Sequence, residues 1–76
     1  MEKNTTKMVG EIVNKDDPME AYILKAKKIW DGYVVLCFTP LRKEFIVWWM
    51  DENSATFYGE YFTNLNDAFI NFKSRN

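Results

Sequence analysis

Aromatic and basic side chains are where the chemistry of this sequence would lie. Trp48 and Trp49 are adjacent, and 13 of the 76 residues are aromatic: 3 Trp, 4 Tyr and 6 Phe. Lys25, Lys27 and Lys28, with Arg42 and Lys43 further on, form the one basic concentration. Aromatic rings beside a basic edge can hold single-stranded nucleic acid by base stacking and phosphate contact. A lysine row also has plainer uses, since it solvates a face and protects an edge strand from aggregation. The charge balance favours the plainer uses. Ten basic groups stand against 11 acidic ones, a net charge of -1, without the basic excess of a nucleic-acid-binding domain. That balance excludes a histone-like basic coat and an acidic mimic of DNA alike. The charges are nonetheless uneven, with eight basic and six acidic groups over 1–43 and two against five over 44–76.

Catalytic chemistry has little to work with. There is no histidine, the commonest general base and metal ligand, and one cysteine, which excludes an internal disulfide. Glu44, Asp51, Glu52, Glu60 and Asp67 fall mostly in turns and at strand ends, where solvated charge is the rule. Cys37 lies inside an apolar run and reads as a small buried hydrophobe rather than a nucleophile. The expectation is a protein that is not an enzyme and has neither cofactor nor metal site. No run approaches the roughly 18 apolar residues that span a bilayer. The polar start, with no apolar core behind it, does not read as a secretory signal. Together with the lone cysteine, these features lead us to expect a cytoplasmic protein without membrane contact.

These side chains must be positioned by short elements. Residues 1–17 carry seven charges around the apolar stretch 8–13 and read as a flexible N-terminal tail or arm. Residues 18–76 read as a single domain. Two readings of 19–30 compete. As a helix, Asp17 caps, Pro18 opens the first turn, and Met19, Tyr22, Ile23, Ala26, Ile29 and Trp30 form a stripe. As a strand, it runs straight into Asp31-Gly32, a strong hairpin signal. That tight junction favours the strand. Residues 33–39, 44–50 and 56–62 are β-branched and aromatic runs separated by turn residues, hence antiparallel strands. Asn64 caps a closing helix with Leu65, Ala68, Phe69 and Phe72 on one face. The fold class expected is α+β: an antiparallel meander of three to four strands with a C-terminal helix on one face. The alternative is α-β-β-β-α.

Side chains alternate across a strand, and here both faces are apolar. One short helix covers only one of them. The other, bearing Tyr33, Val35, Ile46, Trp48, Met50 and Tyr58, is expected to be filled from within the chain, by a second copy in a homodimer, or by a partner. Adjacent Trp48 and Trp49 face opposite ways, so one fills the core and the other lies under the arm or anchors a partner. Lys25, Lys27, Lys28, Arg42 and Lys43 are the candidate nucleic-acid contacts.

The C-terminal half, Glu44-Phe45-Ile46-Val47-Trp48 through Gly59-Glu60-Tyr61-Phe62 to Phe69, resembles a pattern of small proteins carried by phages and mobile elements of Gram-positive bacteria. The pattern is a strand hairpin, then Gly-x-Tyr-Phe, then a short helix with an aromatic and a closing Arg. Gly59, Tyr61, Phe62, Phe72 and Arg75 occupy those places. The resemblance implies no catalytic residues. It implies a setting in which small folded proteins adhere to host machinery, inhibitors of CRISPR nucleases among them. It makes the leading expectation a non-enzymatic protein that binds and inhibits a host protein or nucleoprotein. Single-strand nucleic-acid binding is the alternative.

Overall fold

The structure is a computed structural model and describes residues 5–75. A short helix α1 (Thr5–Met8) and strand β1 (Ile12–Val13) precede β2 (Ala21–Ile29), β3 (Gly32–Thr39), β4 (Glu44–Met50) and β5 (Thr56–Phe62), and α2 (Leu65–Ser74) closes the chain. The strands form one antiparallel sheet in sequence order, and the sheet is curled. The expected sheet with a C-terminal helix is present, with five strands rather than three to four. The added strand is β1, whose two residues pair with Tyr22 and Ala21. Residues 21–29 are strand, not helix.

The β2–β3 junction is set one residue earlier than the Asp31-Gly32 signal implies. Ile29 pairs with Gly32, so Trp30 and Asp31 form the two-residue connection. Gly32 takes φ 148°, and a Cβ there would meet the Met50 carbonyl. Glycine is therefore required beside the turn rather than in it.

Two bulges bend the sheet. The β2–β3 register shifts between Ile23 and Lys25, and the β4–β5 register between Val47 and Trp49. Bulges add a residue to one strand and sharpen its bend. The first changes which side chains share a face. Ala21 and Ile23 point to one face before it, and Ala26 continues that face after it. Lys25 and Lys27 consequently lie on the α2 side, opposite Leu36 and Val34.

Both faces are covered within the chain over most of their length. On one, Val34, Leu36 and Val47 pack with Ala68 and Phe72 of α2. On the other, Tyr33, Val35, Cys37, Ile46, Trp48 and Met50 pack with Ala21 and Ile23, and Met8 and Val13 complete the cluster. Residues 5–17 thus act as an arm. Gly10 N–H donates to the Ile23 carbonyl at 2.7 Å and Ile23 N–H to the Glu11 carbonyl at 2.9 Å, which seats the arm on β2.

Candidate functional site

The face proposed from sequence for a partner or a second copy is not open. Tyr33, Val35, Ile46 and Met50 are buried, and Trp48 keeps 5% of its exposure. This corrects the expected dimer or partner face, because the arm and the strands' own side chains fill it. Tyr58 alone of the six is accessible, at 76%. It sits in the β5 bulge with φ 52°, which turns it away from that face.

The five candidate nucleic-acid contacts do not form one patch. The Lys25 ammonium lies 5.5 Å from the Phe69 ring centroid, and that of Lys27 lies 5.2 Å from Phe72. Lys27 also donates to the Lys73 carbonyl at 3.1 Å, where a cation suits the negative end of α2. Lys28 is on the opposite face, 5.3 Å from the Tyr33 ring, and donates to the Ile29 carbonyl. Arg42 pairs with Glu44 at 3.2 Å in the β3–β4 turn, and Lys43 occupies the same turn with φ 55°. Lys25, Lys27 and Lys28 thus lie on the fold's own aromatic rings and Arg42 on a turn carboxylate.

An open aromatic surface lies at the end of the sheet where the β2–β3 and β4–β5 turns meet. Trp30, in the first turn, is 98% exposed. Trp49 and Phe57 are cross-strand partners on the α2 side of the sheet, and both are partly accessible. Helix length explains why. Ten residues of α2 span about 15 Å at 1.5 Å each. Strands of seven to nine residues run roughly 23–30 Å. The helix starts beside Phe45 and Phe62 and ends at Ser74; Ile29 still packs against the cluster beneath it, while Trp49 and Phe57 keep 37% and 44% of their exposure. They line a cleft of about 310 Å³ with Trp30, Asp31 and Asp51.

Trp49 anchors this surface. Tyr58 meets it edge-on, with ring centroids 5.3 Å apart at 81°. Arg75, just past the end of α2, places its guanidinium 5.6 Å from the Trp49 centroid and 3.4 Å from Glu60 Oε1. Carboxylates frame the rest. Asp31 is exposed in the first turn. Asp51 holds the second turn by accepting the N–H groups of Asn53 and Ala55 on Oδ1, and Glu52 follows it.

Cys37 is fully buried, and burial pushes its thiol up to about 12. A thiol held neutral in this way is a packing group at physiological pH. Among the described residues, no three His, Cys, Asp or Glu side chains are grouped to hold a metal ion, and no helix is long and apolar enough to cross a membrane. Comparison with protein-family models, curated proteins and solved structures finds no match.

From sequence, Trp49 is a candidate anchor only as the alternative to Trp48, Trp30 enters only as part of a helical stripe, and Phe57 has no binding role. A usable signal was present. A ten-residue helix is too short for the strands it covers, and a tryptophan beside a hairpin turn has nothing above it.

Proposed function

We propose that this protein is a non-enzymatic interaction module that docks a partner protein on the aromatic end of its sheet, around Trp30, Trp49, Phe57 and Tyr58. The observation that carries this reading is the exposure of Trp30. Leaving a whole tryptophan in water opposes the largest driving force in folding, and tryptophan is the residue most enriched at interface hot spots. The resemblance to small phage and mobile-element proteins supplies the setting. In that setting the partner is host machinery, such as a CRISPR effector, the outcome of binding is inhibition, and the compartment is the cytoplasm. The absence of histidine and the neutral, buried Cys37 thiol support a role without catalysis.

Electrostatics weigh against nucleic acid at this surface. Asp31 and Asp51 line the cleft between the exposed rings, the cations beside it, Lys28 and Arg75, already lie on Tyr33 and Trp49, and Lys25 and Lys27 lie along α2 with Arg42 and Lys43 at the other end of the sheet. Phosphates entering that cleft would meet Asp31 and Asp51.

Affinity capture from a Gram-positive lysate tests the reading, run with and without nuclease. The baits are wild type, Trp30→Ala and Leu41→Ala, the last an exposed apolar residue in the opposite turn. A hot-spot tryptophan contributes about 2 kcal/mol or more, roughly 30-fold in Kd. A protein held by wild type and Leu41→Ala, lost by Trp30→Ala and unaffected by nuclease is the expected result. Equal capture by Trp30→Ala, or release by nuclease, would overturn it.

A further inference from the structure

Trp49 is the shared wall of two clefts. In the one formed with Tyr58, Gly59, Glu60 and Asn71, the chain supplies its own occupant, the Arg75 guanidinium, set against the Trp49 ring and paired with Glu60. The second cleft repeats the aromatic wall and the carboxylates, but its neighbouring cation, Lys28, sits to the side on Tyr33 and Ile29, which also line it. Trp30, Trp49 and Phe57 line it, with Asp31 and Asp51 beside them. No lysine or arginine of the described residues lies over Trp30 or Phe57. Lys28, the nearest lysine in sequence, has its ammonium over Tyr33 and on the Ile29 carbonyl.

We propose, building on the docking role above, that this cleft receives a cationic side chain, arginine in preference to lysine, from an exposed segment of the partner protein. A guanidinium stacks on an indole and pairs with carboxylates at its edge, and it gives up its hydration more readily than an ammonium. Asp51 leaves Oδ2 for that contact, since its turn bonds use Oδ1. A purely apolar side chain would fill the same space and desolvate both carboxylates without a partner, which is unfavourable. An acidic segment would meet Asp31 and Asp51 and be repelled. Charge thus selects the occupant, while the rings supply the contact area.

The test is a two-dimensional NMR titration of the full chain, reading the indole N–H signals of Trp30 and Trp49. Three nine-residue Gly/Ser peptides are compared, carrying three arginines, three citrullines or three leucines. Citrulline keeps the shape of arginine and removes its charge. The arginine peptide is expected to shift both indoles saturably, with the citrulline peptide weaker by about tenfold. Asp31→Asn and Trp30→Ala should each weaken the arginine peptide several-fold, and added salt should weaken it further. Equal binding of the arginine and citrulline peptides would overturn the proposal. A leucine peptide that binds where the arginine peptide does not would remove the cation and keep the docking surface. Silence from all three peptides would overturn the cation proposal and leave the docking reading to the capture experiment.

Discussion

At the scale of single residues, burial decides what each reactive-looking group can do. Cys37 shows this most simply. Its native thiol should resist a thiol reagent at pH 7 and react only after unfolding, which a kinetic assay with and without denaturant would reveal. The same burial gives a pH dependence. With the folded-state value raised from 9.0 to about 12, the unfolded chain loses the proton first as pH rises. The stability linked to this group is therefore complete below pH 9 and declines from there towards pH 12. Its slope is at most about 1.4 kcal/mol per pH unit. Cys37→Ala should lack that component of the alkaline slope in denaturant titrations; an unchanged slope would mean the thiol is not desolvated. Gly59 is constrained by space. A Cβ there would lie against the Trp48 indole, 2.8 Å from Cδ1. Gly59→Ala should cost about 1–3 kcal/mol through overpacking, read as a lower denaturation midpoint at unchanged slope.

At the scale of elements, α2 is held at its start by a side-chain cap. Asn64 Oδ1 accepts from Asn66 N at 2.7 Å and from Asp67 N at 3.3 Å. Asn64→Ala should cost about 1 kcal/mol, while Asn64→Asp, which keeps the acceptor, should cost little; thermal melts of the two compare them. The cap, the helix and its apolar stripe were all legible in the sequence, because they rest on local spacing. So were the three C-terminal strands. Strand β2 was legible only in part. The Ile23/Lys25 bulge carries its core residues at Ala21, Ile23 and Ala26, a spacing that breaks strict alternation and imitates a helix. The division of labour between Trp48 and Trp49 was not legible, since alternation says that they face opposite ways but not which face is closed. Two residues of the arm, Met8 and Val13, decide that. No local pattern announces a contact made across the sheet.

At the scale of the whole molecule, the arm closes the core and leaves the turn end of the sheet as the proposed docking surface. Full burial of Met8 and Val13 contributes about 1.5–3 kcal/mol each. That is a large part of the roughly 5–15 kcal/mol that holds a small domain together. Removing residues 1–13 should therefore lower stability by several kcal/mol and uncover apolar surface beside Tyr33 and Trp48. Light scattering after size exclusion should show the shortened chain self-associating where the full chain does not.

Both proposals depend on one division among the three tryptophans: Trp48 is core, Trp49 is half-open at 37%, and Trp30 stands in solvent. Incorporating 5-fluorotryptophan gives each a separate ¹⁹F signal, and moving the protein from H₂O to D₂O shifts each signal in proportion to its contact with solvent. The account predicts a full solvent shift for Trp30, an intermediate one for Trp49 and none for Trp48. A solvent shift at Trp48, or its absence at Trp30, would contradict it.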